Sequence, residues 1–383
     1  MSPAANELDF EDDYRQTKDL VAVPLASGDV AALTLKAKAA IDAAHLLFPD
    51  EATLINRLIV GLLGGHVVLA GPPGTGKTTL ARILAEVFDC SSRVETATAD
   101  WSTYDVVGGL QPKIQQQGGF AMETIAPWQG HVTRAVLDCA STVARHVDDP
   151  AEHPKQAHWL IIDEFNRAEI DRAIGGLYTV LGGSGDESLK LWYEQDDKKR
   201  EVWIPGRFRI IGTLNSVDTS YVYGFSQGLT RRFKYVYVGV PSVAQVNDEI
   251  ARALEQALAW LESTYPGGNA GEIRQRLETI TPKLGTIVTL VRYGADGVPG
   301  WPVGTAQVVD VLREMALQAR TTDDLADNLD LAIADLIVPQ MMDLTATQLD
   351  WIEGAFTNGA HNEMKRTANA LAQLREAQNT SFS

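Results

Sequence analysis

The residues best suited to chemistry fall in two stretches. Gly71-Pro72-Pro73-Gly74-Thr75-Gly76-Lys77-Thr78, followed by Thr79, fits the G-x-x-x-x-G-K-[ST] pattern of a phosphate-binding loop. Gly74 and Gly76 carry no Cβ, so the backbone can curl and turn its N–H groups towards a phosphate. Lys77 adds a positive charge suited to β- and γ-phosphates, and the Thr78 hydroxyl is suited to helping hold Mg²⁺. The second stretch, Trp159-Leu160-Ile161-Ile162-Asp163-Glu164, is an apolar run ending in two carboxylates. Ligands of open α/β sheets sit at the carboxyl ends of strands, so this pair is expected in the same crevice. Asp163 would bind Mg²⁺ through water, and Glu164 would polarise the attacking water. Asn215 ends a further apolar run, Phe208–Leu214, where an amide can orient that water or touch the γ-phosphate without competing for protons. Arg231 and Arg232 are adjacent guanidiniums that by themselves read as a solvated basic pair before a strand.

These side chains need elements to hold them. Val67–Ala70 is short and apolar, as a buried parallel strand is. After the loop, Leu80, Ile83, Leu84 and Val87 share one helical face, which sets a helix N-terminus against the anion. Strand-like runs at 67–70, 93–97, 159–163, 208–213 and 235–240 alternate with helical stretches. This predicts a three-layer α/β core with a parallel sheet over 29–240. Within it, 29–48 and 50–63 read as helices. Pro241 marks the exit, and helical patterns over 242–264, 271–292, 304–320, 323–337 and 346–376 predict an all-helical lid and C-terminal region across 241–383. Residues 1–28 read as an acidic, flexible or loosely docked lead.

Composition narrows the function classes. The chain has 383 residues and a formal net charge of −17, which argues against a broad nucleic-acid footprint but not against a locally basic pore. No apolar run approaches the roughly 20 residues that span a bilayer, so no membrane role is expected. An acidic N-terminus and two cysteines, Cys90 and Cys139, point to the cytoplasm and to two core thiols. His45 and His66 read as structural, and His146 and His153, beside Asp148, Asp149 and Glu152, match no metal-ligand spacing. Trp101 and Tyr104 flank the entry to the 105–120 stretch and could anchor it, but read first as core packing.

Taken in order, the motifs resemble those of the AAA+ ATPases over roughly residues 30–345. Asp163-Glu164-Phe165-Asn166-Arg167-Ala168 resembles the D-E-[IF]-N-R-A signature of the MoxR and McrB (dynein-related) branch. Leu229-Thr230-Arg231-Arg232-Phe233 is similar to its L-x-R-R-F arginine-finger box, and Asn215 matches sensor 1. The resemblance implies a P-loop NTPase core, ATP (with GTP left open) and Mg²⁺ as ligands, and an oligomeric, hexameric ring. Lys77, Thr78, Asp163, Glu164 and Asn215 would act in cis, and Arg231 or Arg232 in trans. It also implies a separate protein partner. That partner is a von Willebrand A-type client remodelled by a MoxR-like chaperone or, as the alternative, a nuclease subunit powered by a McrB-like NTPase. DNA would be met only through the partner or the pore.

Asn215-Ser216-Val217-Asp218-Thr219-Ser220 is similar to the McrB-type N-T-A-D-R-S stretch, with Thr219 in place of the arginine. Residues 105–120 resemble the helix-2 insert and read as a polar flexible loop, and 189–204 resemble the pre-sensor-1 hairpin. At Trp301–Gln307 the sensor 2 arginine is missing, with Arg313 two turns later. A nucleotide-locked scaffold with little turnover is the third expectation.

Overall fold

The structure, a computed structural model, describes residues 14–26, 28–117, 120–182, 187–215, 226–267, 269–295 and 297–381. The described residues divide into two compact units. The first is drawn from 1–40, 52–71 and 77–237, and the second from 41–51, 72–76 and 238–383.

In chain order the strands are β1 (His66–Gly71), β2 (Ser91–Thr96), β3 (Gly108–Gln117), β4 (Phe120–Gln129), β5 (His158–Asp163), β6 (Leu189–Lys190), β7 (Glu201–Val202), β8 (Ile210–Asn215) and β9 (Phe233–Tyr237). Five of them form one sheet in the order β2-β5-β8-β1-β9, and every neighbouring pair is parallel. The expected α/β class and the five predicted strands are therefore present, each within a few residues of its predicted span. β1 is buried along its whole length, as a central strand covered on both faces must be.

The helices of this part of the chain are α1 (Val30–Ala43), α2 (Glu51–Gly64), α3 (Lys77–Val87), α4 (Thr103–Val106), α5 (His131–Asp148), α6 (Ile170–Ile174) and α7 (Gln227–Thr230). The predicted stripe on α3, Leu80, Ile83, Leu84 and Val87, is buried. Cys139 lies on the buried stripe of α5, and Cys90 follows α3; both thiols are free and buried, and burial pushes the Cys139 pKa up to about 12.

Three features depart from expectation. First, the lead is not loose throughout. A 3-10 helix spans Tyr14–Leu20, the Gly206 N–H bonds to the Leu20 carbonyl at 3.1 Å, and the Gln156 amide bonds both backbone groups of Ala26 at 2.8 Å. Second, the insert is no loop: β3 and β4 pair antiparallel over ten residues each, with Gln117 opposite Phe120. The whole second arm was unforeseen. Third, the 189–204 hairpin pairs only Leu189 with Val202 and Lys190 with Glu201. Leu189, Leu191 and Tyr193 are buried as their alternation predicts, while Trp192 between them is 68% exposed. The Trp203 N–H leaves the ladder and bonds Thr17 Oγ1 at 2.9 Å.

The second unit is helical: α8 (Val246–Thr264), α9 (Ala270–Glu278), α10 (Thr281–Tyr293), α11 (Thr305–Gln318), α12 (Leu325–Leu336), α13 (Ala346–Thr357) and α14 (Lys365–Ser381). Two predicted helices are each split. Pro282 in the first turn of α10 restarts a helix within 271–292, where the hydrophobic pattern predicts a continuous one. The stretch 346–376 breaks after Asn358, the C-cap of α13. Ile250, Leu254, Leu258, Leu312, Ile333 and Phe356 belong to one buried core. In its midst the Arg292 guanidinium holds the Glu249 carboxylate through two bonds of 2.6 and 2.9 Å, both side chains fully buried.

Candidate functional site

The five cis candidates, Lys77, Thr78, Asp163, Glu164 and Asn215, all belong to the first unit. Strand register brings them together: Gly71 at the end of β1 pairs with Asn215 at the end of β8, and β8 pairs with β5, which ends at Asp163. Lys77 and Thr78 open α3, whose first N–H groups have no partner within the helix and favour an anion.

Thr78 Oγ1 bonds Asp163 Oδ1 at 2.8 Å, and the Thr213 hydroxyl donates to the same carboxylate oxygen. The hydroxyl and carboxylate thus converge as a hard oxygen pair, a donor set that fits Mg²⁺, which keeps several waters and takes one or two carboxylates. Lys77 is only 5% exposed and its ammonium bonds the Gly71 carbonyl at 3.1 Å. Removal from water pulls its pKa down to about 8, against the opposing pull of the Glu164 and Asp163 carboxylates.

Glu164 is held on both oxygens. Asn215 Nδ2 donates to Oε1 at 2.7 Å and Arg167 Nε donates to Oε2 at 3.0 Å. Its backbone is left-handed, φ +56°, a conformation costing a non-glycine residue about 1–3 kcal/mol. The kink is pinned on either side by the Ala97 N–H on the Asp163 carbonyl at 2.8 Å and the Phe165 N–H on the Thr213 carbonyl at 2.7 Å. Asn166 Nδ2 bonds the Asn215 carbonyl at 3.2 Å. Thr213 was missed by sequence reasoning; its only signal was lying two residues before Asn215, on the same strand face.

The loop residues 72–76 belong to the second unit. Gly74 and Gly76 have φ of +74° and +84°, so both need glycine. Thr75 Oγ1 bonds the Pro72 carbonyl at 3.1 Å, Pro73 is partly exposed, and Thr79 in α3 is exposed. Within this unit the Ala306 N–H bonds the Gly74 carbonyl at 2.9 Å, and the Gln307 amide lies so close that a Cβ on Gly74 would collide with it. Arg313, two turns on, pairs with Asp310 at 3.3 Å and lies over the Trp260 ring.

Arg231 and Arg232 stand elsewhere in the first unit. Phe233, the next residue, pairs with His66 at the start of β1, whereas Lys77 follows the end of that strand. One strand length, about 17 Å, separates these levels. Both arginines line a cavity of about 420 Å³ with Gly64, Gly65, His66 and Phe208. Arg231 is exposed; Arg232 Nε bonds the Tyr178 carbonyl at 2.9 Å. The segment 216–220 lies outside the described residues.

Trp101 is buried and stacks on His131, and Tyr104 stacks on Trp128 at the base of the β3–β4 hairpin. His146 Nδ1 contacts the His153 carbonyl, and among the described residues no cluster of three or more His, Cys, Asp or Glu could hold a metal ion. Among the described residues no helix is long and apolar enough to cross a membrane.

Residues 66–233 match the AAA domain (dynein-related subfamily). The chain is similar to the type IV methyl-directed restriction enzyme EcoKMcrB subunit of Escherichia coli (strain K12), 26% identical over 203 residues, covering 51% of this chain and 40% of that protein. It is 27% identical over 212 residues to the chaperone MoxR1 of Mycobacterium tuberculosis (strain ATCC 25618 / H37Rv), covering 52% and 43%. A shorter stretch of 51 residues is 49% identical to the Holliday junction branch migration complex subunit RuvB of Synechococcus sp. (strain CC9311), 12% of this chain and 14% of that one. The chain therefore matches less than half the length of each of these relatives.

Proposed function

Residues 66–233 form an AAA domain on the MoxR/McrB branch of the AAA+ ATPases, and from that premise we propose an Mg²⁺-dependent nucleoside triphosphatase, with ATP as substrate, that works as a ring on a separate protein partner. The observation that carries the reading is the convergence of Lys77, Thr78, Asp163, Glu164 and Asn215 at the carboxyl ends of adjacent strands.

In this reading the N–H groups of the 71–78 loop and the Lys77 ammonium bind and orient the phosphates. Thr78 and Asp163 would hold Mg²⁺, which neutralises charge on the phosphate oxygens when bound. Glu164 takes a proton from the attacking water, and Asn215, already bonded to Glu164, orients that water. Arg231 or Arg232 serves a neighbouring subunit, because the strand separating them from Lys77 keeps both away from their own phosphates.

The test is phosphate release by Glu164→Gln. A loss of about 100-fold or more with nucleotide affinity retained is expected. Equal rates in variant and wild type would remove the general base from this residue.

A remodelling role on a client protein is the leading version, supported by the likeness to a chaperone and by the acidic charge. The likeness to a restriction enzyme subunit favours a second version, in which the ring powers a DNA-cleaving partner and GTP becomes a candidate substrate. Stimulation of hydrolysis by DNA or by a protein client separates the two.

A further inference from the structure

The short helix that presents Arg231 and Arg232 cannot fix its own direction. α7 has four residues, about one turn, and such a helix has no independent stability. Its hold comes from outside. Ser226 is its N-cap and accepts the Leu229 N–H at 3.2 Å. Asp171, in α6, grips that cap: Oδ2 accepts the Ser226 N–H at 3.0 Å, and Oδ1 accepts the Ser226 hydroxyl. The Tyr178 hydroxyl donates to the same Oδ1, and the Tyr178 carbonyl accepts Arg232 Nε at 2.9 Å. Gly228 leaves room for this, since a Cβ there would stand 2.9 Å from the Tyr178 ring. One carboxylate therefore gathers the helix cap and the residue that anchors Arg232, while Arg231 projects into solvent. α6 follows the acid pair directly, so Asp171 lies seven positions after Glu164.

We propose that Asp171, with Tyr178 and Ser226, is a positioning clamp. It sets the direction of the Arg231–Arg232 pair towards a neighbouring subunit's triphosphate and contributes nothing to its own subunit's phosphate site. The inference rests on the ring reading above and adds to it the residues that aim the arginines. A carboxylate accepting three hydrogen bonds suits the task because it tolerates no rotation without losing partners.

The experiment uses full-length chains and phosphate release. Asp171→Asn alone is expected to bind nucleotide within about threefold of wild type yet turn over about 100-fold slower, the cost of an angstrom-scale misplacement. Glu164→Gln alone is slow for the opposite reason: its arginines are sound and its base is missing. Mixed one to one, the two should recover about a quarter of the wild-type rate, since a quarter of the interfaces pair an intact site with intact arginines. Tyr178→Phe removes one hydroxyl only; a smaller loss, about tenfold, is expected, and its one-to-one mixture with Glu164→Gln should again recover about a quarter of the wild-type rate.

An active wild type whose variants show no loss, or a mixture no faster than its components, overturns the clamp. A folding defect in Asp171→Asn leaves Tyr178→Phe to decide by the same rescue. Wild type that releases no phosphate from any nucleotide instead marks failure of the nucleotidase reading.

Discussion

Lys77 shows how a single side chain can carry a measurable signature. Burial brings its pKa down to about 8 from the ordinary 10.5. In the proposed site, phosphate oxygens would favour the charged form, so nucleotide binding should raise that value. Below about pH 8 the ammonium is already charged and affinity is full; above it, binding must take up a proton and affinity falls by up to about tenfold per pH unit. Calorimetry in two buffers of different ionisation heat should detect this uptake at about pH 9, and Lys77→Arg, charged throughout, should lose it. Affinity that stays level between about pH 7 and 9.5 would contradict the argument. Lys77, Thr78, Asp163, Glu164 and Asn215 were legible because each sits in a contiguous pattern. Thr213 and Asp171 were not, because a threonine inside a strand and an aspartate inside a helix acquire meaning only from partners distant in sequence, 50 and 55 positions away.

At the scale of elements, what was legible is what is buried. The sheet strands and α3 are apolar where the core is, and hydrophobic period reveals them. The β3–β4 hairpin escaped because much of its surface faces solvent: Ile114 and Ile125 are 72% and 70% exposed, among glutamines and two prolines. The missed signal was Gly118-Gly119 between two arms of equal length. The base of the hairpin is held by aromatic stacking: Tyr104 lies on Trp128 with centroids 5.0 Å apart, and Trp128 meets His131 edge-on at 6.1 Å. Trp128→Ala is therefore expected to raise the rate of limited proteolysis between 108 and 129 by about tenfold while the sheet unfolds at nearly the same temperature. Equal cleavage rates would show that the stack does not hold the arms.

For the molecule as a whole, stability has a point of vulnerability in a buried ion pair. It is the Glu249–Arg292 pair of the helical unit, to which the Thr305 hydroxyl adds a bond of 2.6 Å to Glu249. Glu249→Ala would strand a guanidinium that is fully buried. A loss of about 3–5 kcal/mol is expected for this unit, read by chemical denaturation, whereas an exposed pair such as Lys190–Glu201 should cost less than about 1 kcal/mol. The split of two predicted helices, 271–292 and 346–376, was the main global feature that pattern alone did not give, because the breaks lie in local caps and one proline.

All five strands of the central sheet run the same way. Lys77 and the arginine pair belong to opposite ends of β1, so a solitary polypeptide owns a cleft and a pair of charges that cannot meet. If the arginines act across a ring interface, as proposed, such a molecule reads its own abundance. On serial dilution, turnover per chain should collapse steeply while nucleotide still binds, and the midpoint of that collapse would measure how tightly copies hold one another.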